Sequence, residues 1–493
     1  MGHGVSVIEV PTVGKPPITS KAGMPVYVGA APVNRADESN VNRINICRSF
    51  DEAEAALGYD DNFEEYPLCE AMRVHLQMYK ASPIVLINVL DPGEAAHTTT
   101  PAEQNYDLDV LGSPSSVTWE QRGVLPSTVV VRDTAVPTIY TLDTDYTLEI
   151  ERSTGHLIVH IIPSAAGGNI PADLDTLGVL GDYLDPSGVD ETHIIGAMTA
   201  GVATGLHCAH YVYAQTGIVP GALNAPYWGR EREVKDAIVS IGRNLAGEFR
   251  CSGVADLDHD VAEIPNYTNV PGWKASNFYY DRGVVNTWGP MVRYGSERHL
   301  LSTHYCALCQ VRDAEPLADG IPYVSPSNQI MLADALVTST GEDVLFTKAQ
   351  VNTINDQGVV GAVPTRFGYR LWGNRCAIYP ADTDPREVFI PLRRMFDWIH
   401  NSLMLTHEEK VSAPGNKKQI QSVVRREQLR INGLISAEAL IDGRIEFLES
   451  ENPIADLMAG KVRYHVWLTP PIPMEDLGFI VEFDPAGIAA VFA

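Results

Sequence analysis

The residues best suited to chemistry lie in HYCALC, where His304, Cys306 and Cys309 offer an imidazole and two thiols. Such donors suit zinc or a redox pair, but a structural zinc site needs four ligands. The best second pair, His207 and His210 in LHCAHYV, lies far upstream and stands alone. Both stretches are expected on helices, so the thiols read as buried and structural. In ADLDHDV, Asp256, Asp258 and Asp260 have calcium-loop spacing, yet Val261 stands where that loop needs glycine and Tyr267 where it needs a bidentate glutamate. A solvated turn is the expectation there.

Phosphate chemistry has no foothold, because no GxxxxGK[ST] loop occurs. No G-x-S-x-G elbow occurs either, and local signatures assemble no Ser/His/Asp set. Catalytic, cofactor-binding and metal residues are therefore all assigned as none. A hydrolase whose site is built by geometry alone is the alternative reading.

One electrostatic feature stands out. The chain has a formal charge of −26, which argues against nucleic-acid partners. Against that background Lys417, Lys418, Arg425, Arg426 and Arg430 crowd into NKKQIQSVVRREQLR. Lys417, Gln421 and Arg425 follow one polar side of a predicted helix, while Ile420, Val423, Val424 and Ile431 form its apolar side. The pattern fits an ordinary solvated face or a docking face for an acidic partner.

These residues need elements to hold them. The 493-residue length and 45% hydrophobic content allow several domains. Seven cysteines spread along the chain fit reduced thiols, and MGHGVSVIEVPTVG lacks a secretory pattern, so synthesis in a reducing cytoplasm is expected. Met1, Gly2 and Ser6 match the short myristoylation pattern, but the segment continues as an alternating strand. Thr192 to Gly229 carries no Asp, Glu, Lys or Arg, yet its histidines, glycines and Pro220 leave no apolar run long enough for direct membrane insertion.

Val5, Ser6, Val7, Ile8, Glu9 and Val10 alternate as a strand, followed by a Pro- and Gly-rich tether. MPVYVGAAP, the helix PLCEAMRVHLQMY (with Leu68, Met72, His75, Leu76 and Tyr79 at helical spacing) and PIVLINVLDP make a strand, helix, strand order. Polar turns and short β-like runs then suggest an inserted module. Further on, IIGAMTAGVATGLHCAHYVYAQ and EREVKDAIVSIGRNLAGEF read as helices, GYRLWGNRCAIYP and EVFIP as strands, and RRMFDWIHNSLML as a helix. The chain closes on two strands around a proline-rich loop. Val462, Tyr464, Val466 and Leu468 form one face of the first, while Gly478, Phe479, Ile480, Val481, Glu482 and Phe483 lie in the second, which has no later partner.

The order of GVSVIEVP with PPIT, NFEEYPLCEAMRVHLQMY, PIVLINVLDP, DYLDPS, GIPYVSPSN, YRLWGNRCAIYP, FIPLRRMFDWI, and INGLI with GRIEFLESENPIADLMAGKVRYHVWLTPPIP resembles contractile tail sheath proteins of bacteriophages, R-type bacteriocins and related injection systems. The resemblance runs through most of the chain, outside the inserted module. It implies an α/β, multidomain fold with a subtilisin-like middle domain, a β-sandwich-like insertion and terminal strand arms. The expected units are an N-terminal arm and tether (1–25), the N-terminal part of the α/β core (26–92), the insertion (93–178), the subtilisin-like domain (180–345), a C-terminal sheath domain (350–475) and a C-terminal arm (476–493).

The implied role is structural: hexameric rings polymerise helically around a tail tube in a virion and contract to drive the tube through the bacterial envelope for genome or effector delivery. The implied partners are further copies of the chain, the tube protein, and baseplate and tail terminator proteins, with no cofactor. Val5 to Val10 and Gly478 to Phe483 become inter-subunit strands, the strand of Val462 to Leu468 a receiving strand, and Lys417, Lys418 and Arg425 a tube-facing set.

Overall fold

The β-branched runs Pro25–Gly29 and Ile84–Asn88 are buried at every position and pair in parallel, Val26 opposite Val85. Strands covered on both faces carry such unbroken apolar runs. The computed structural model describes residues 22–483 apart from 109–114, 136–137, 163–165, 172–173 and 316. The expected N-terminal strand Val5 to Val10 lies outside the described residues. Pro25–Gly29 also pairs with Ala222–Asn224, and the sheet grows through Ser252–Asp256, Val284–Thr287 and Val359–Thr365 to an antiparallel edge, Gly368–Trp372. Asn45–Cys47 closes the opposite edge.

One eight-stranded sheet thus takes strands from stretches that read as separate units in the sequence, 26–92, 180–345 and the start of 350–475. Helices Pro67–Ala71, continuing as Met72–Tyr79, and Leu301–Asp313 pack on it. His75 sits fully buried on the first of these, bonded to Tyr27 Oη at 2.6 Å and Gln310 Oε1 at 3.2 Å.

The insertion has its own core. Ser116–Arg122, His156–Ile161 and Tyr146–Ile150 form one antiparallel sheet, while Gln104–Asp107, Thr176–Leu180 and Val130–Asp133 form another. Trp119, Val131, Leu157, Val159, Leu177 and Val179 fill the space they share. The two chain crossings into this module are stitched by Thr98–Thr99 against Tyr183–Leu184.

Three local readings need correction. EVFIP is not a strand: Asp384 caps the helical turn Pro385–Val388, and Ile390–His407 starts immediately after with Pro391 in its first turn. Proline there loses no hydrogen bond. The expected long helix after Thr192 breaks into Glu191–Ile195, a small hairpin of Met198–Thr199 with Val202–Ala203, and helical turns Gly205–Tyr211 and Val212–Thr216. Gly196 causes the first break, with φ +66° and the backbone oxygen of Thr204 so near that a Cβ would sit 2.1 Å from it. Asp256 ends a central strand and is buried rather than solvated.

The C-terminal unit packs helix Ile390–His407 against helix Lys417–Ser436 and the hairpin Asp442–Glu446 with His465–Thr469, around Met395, Trp398, Ile399, Ile431, Leu434 and Ile445. Buried charges join it to the sheet layer. Arg394 grips Asp313 through both Nη atoms, at 2.5 and 3.2 Å, with both residues buried. Beside it, Asp397 accepts from Arg393 at 2.8 Å and from Arg243 at 3.1 Å. Removing one partner strands a buried charge. Arg394→Ala should cost about 3–5 kcal/mol, read as a lowered denaturation midpoint, and the paired change Asp313→Leu with Arg394→Met should recover most of it.

Candidate functional site

The hairpin near the C-terminus is short and open. Ile445 faces Val466 and Gly443 faces Leu468 in antiparallel register. Gly443 is needed because the Ile431 side chain of the helix below would lie 2.9 Å from any Cβ there. Val466 and Leu468 lean on the helical core, as does Tyr464, but Val462 and Tyr464 precede the strand, which starts at His465. The reason is local: the Asn452 side chain accepts from the Arg463 amide at 2.8 Å and donates to its carbonyl at 2.9 Å, holding that backbone away from a ladder. Among the described residues this sheet has two strands; the Gln428 side chain bonds the Ile445 amide at 3.2 Å and the Gly443 carbonyl at 3.4 Å on one side, while the outer edge of His465–Thr469 has no neighbouring strand.

After Thr469 the chain runs through Pro470, Pro471 and Pro473 and is pinned by Arg375 to Glu475 at 2.8 Å. Beyond that ion pair, residues 476–483 form neither helix nor strand. Phe479, Ile480 and Val481 are 86%, 100% and 92% exposed, and Leu477 and Phe483 are exposed too. Each such side chain gains roughly 1.5–3 kcal/mol when fully buried, so among the described residues the tail is an apolar strip without a cover.

Helix Lys417–Ser436 carries the basic set. Lys417, Lys418 and Arg425 are exposed and make no ion pair among the described residues, whereas Arg430 and His407 hold the buried Glu427 at 2.7 and 2.9 Å. Two lysines in a first turn that has no acidic residue oppose the helix dipole. Their charge does not serve the helix.

The ligand candidates do not converge. His304 is buried between Tyr79 Oη (2.9 Å) and His299 Nδ1 (3.4 Å), and burial pushes the Cys309 thiol up to about 11. His207 and His210 face each other elsewhere with ring centres 5.8 Å apart. At the C-terminal end of the parallel strands Asp256 accepts from Thr287 Oγ1 at 2.6 Å and directly from Ser302 Oγ, all three buried. A serine that donates straight to a carboxylate, with no imidazole between them and no access, is not an activated nucleophile.

No family model matches the sequence. The chain is 24% identical over 491 residues, 97% of its length and 96% of the relative's, to a tail sheath protein of Burkholderia phage BcepMu. A second relative, the major tail sheath protein of Serratia phage KSP20, is 28% identical over 148 residues, 29% of this chain and 35% of its own. The chain is thus similar to a phage tail sheath protein along nearly its whole length. Its mixed α/β fold matches the anti-feeding prophage baseplate in its contracted state, with TM-score 0.57, 12% identity and coverage of 98% of this chain and 99% of the other. A PVC extracellular contractile injection system sheath complex in its contracted state gives TM-score 0.54 at 11% identity, covering 99% of both chains.

These matches are to structural sheath proteins and not to enzymes. In this chain the buried carboxylates serve the core. Glu70, unremarked in the sequence, accepts from Tyr227 Oη at 2.9 Å and from the Leu300 amide at 3.0 Å, tying three segments together. Burial pushes its carboxyl from 4.5 up to about 8. A carboxyl raised on folding stabilises the native state below its unfolded value, and that contribution is lost as pH rises through the folded value. The stability of the wild type relative to Glu70→Gln should therefore fall by on the order of a few kcal/mol between pH 5 and pH 8, measured by denaturant titration at each pH.

Proposed function

We propose that the chain is the structural subunit of a contractile tail sheath, a virion component that polymerises as stacked hexameric rings around a tail tube and contracts to drive the tube through a bacterial envelope. The bare apolar tail carries this reading, taken with relatedness to a tail sheath protein along nearly the whole chain. A strip alternating Leu477, Phe479, Val481 and Phe483 becomes a strand when a sheet edge receives it, and the outer edge of His465–Thr469 offers one. Residues 476–483 stay exposed instead of pairing with that hairpin in the same chain, so the receiving edge is assigned to a neighbouring subunit. Repeated head to tail, that contact builds a helical polymer. Residues Val5 to Val10 supply the matching N-terminal strand, and the α/β layer acts as a subtilisin-like scaffold without catalysis.

Lys417, Lys418 and Arg425 face the tube, where many weak exposed pairs hold the extended state and release together. Baseplate and terminator proteins complete the assembly at its ends.

Deleting 476–493 should leave a folded monomer by circular dichroism and size-exclusion chromatography that forms no striated cylinders in negative stain. Cylinders of normal length from the truncated chain would overturn the strand-exchange reading. Reversing Lys417, Lys418 and Arg425 to glutamate should give cylinders without tubes while raising, not lowering, the thermal midpoint, because acidic residues then sit in the helix's first turn. Tube-filled tails from that variant refute the docking face.

A further inference from the structure

The stalk that joins the β module to the sheet layer holds a second kind of chemistry. Glu94, His97 and His193 each offer a ligand atom, and these atoms lie within 4.8 Å of one another. They come from opposite sides of the stalk. Glu94 and His97 belong to the turn that leads into Thr98–Thr99, and His193 to the helix Glu191–Ile195 that follows Tyr183–Leu184. His193 Nε2 stands 3.3 Å from Glu94 Oε1, and His97 Nδ1 stands 3.7 Å from Glu94 Oε2. A tetrahedral ion with bonds near 2.0–2.2 Å places its ligands about 3.3–3.5 Å apart.

One further observation points to a ligand. His97 is fully buried, and its Nε2 has no hydrogen-bond partner, so a buried polar atom is left unsatisfied. His193 Nδ1 accepts from the Asp190 amide at 3.2 Å and lies 2.7 Å from Asp190 Oδ1, so the capping turn holds the ring with Nε2 beside Glu94. We propose that Glu94, His97 and His193 bind a zinc ion that clamps the two crossings of the stalk and fixes the β module on the sheet layer.

Two imidazoles and one carboxylate select zinc over calcium or magnesium, which take oxygen sets. His97 gives one ring nitrogen. Where that is Nδ1, the ion replaces the Asp91 amide that it accepts at 3.0 Å, and the half-exposed Asp91 segment turns that amide to water. Glu94 is partly exposed, so the remaining position of the ion opens to solvent. The stalk is already tight here, since a Cβ on Gly188 would lie 1.8 Å from the Ala96 oxygen, and a bond across it needs little movement.

The test uses the full chain after chelator treatment, with zinc by calorimetry and cobalt(II) as an optical probe. One equivalent should bind, with the visible absorption of four-coordinate cobalt and a raised thermal midpoint. Glu94→Gln and His193→Gln, both at partly exposed positions, should weaken binding beyond the roughly 10–100-fold that follows loss of an orienting partner, with circular dichroism unchanged. Absence of cobalt absorption in the wild type at micromolar metal, or undiminished binding in both variants, overturns the proposal.

Discussion

The Arg394–Asp313 ion pair is the constraint on which the architecture turns. Asp313 ends the helix that packs on the eight-stranded sheet, and Arg394 stands in the first helix of the C-terminal unit. Burial raises the Asp313 carboxyl even with Arg394 beside it, which shows how far both charges are from water. Neither charge is tolerable alone, so the two layers must meet in one geometry. Arg393, Asp397 and Arg243 extend the seam, and Asn401 completes it by bonding both backbone groups of Arg250 at 2.9 and 2.7 Å. A purely apolar seam slides at little cost, whereas a bidentate ion pair does not.

That rigidity sets the character of the C-terminal tail. The hairpin rests on the helices that the seam locks, so its open edge, that of His465–Thr469, is presented at a fixed angle to the sheet layer. The tail leaves the same unit after the Arg375–Glu475 pair, which is partly exposed and correspondingly weak. The proposed exchange of strands thus joins a stiff donor of edges to a segment with no internal partner. In such a lattice, changes of shape fall to the proline-bounded stretch between Thr469 and Glu475 rather than to the subunit body.

Much of this organisation was legible in the sequence, and the misses have physical causes. Pro25–Gly29 and Ile84–Asn88 announced themselves as unbroken apolar runs, and Lys417–Ser436 by its periodicity. Nothing local revealed that strands on either side of the β module share one sheet, because parallel pairing leaves no turn signal between partners. EVFIP misled through its β-branched content, while the decisive signals were the capping aspartate and two prolines. In FIPLRRMFDWI the apolar spacing was visible, but nothing local marked the arginines as buried. Burial of Arg393, Arg394 and Asp397 depends on Asp313 and Arg243, more than 80 residues away. Glu94, His97 and His193 escaped for the same reason, since no motif spans the module between them.

The charge balance decides what kind of contact can hold copies of this chain together. At −26 per chain, neighbouring subunits repel, and at physiological salt that repulsion is screened beyond about 8 Å but not at contact. Net charge therefore opposes a homotypic lattice, and a contact that does not depend on charge suits it better. Backbone pairing along a strand edge, with Phe479, Val481 and Phe483 buried beneath it, is indifferent to net charge and is the one kind of contact the tail is equipped to make. The basic helix face has the opposite logic. It is misplaced for helix stability and outnumbered on its own chain, so it suits a partner that is not this chain. Apolar strands for like subunits and exposed cations for an unlike one give the proposed sheath two contacts that salt affects differently, the second weakening with ionic strength while the first does not.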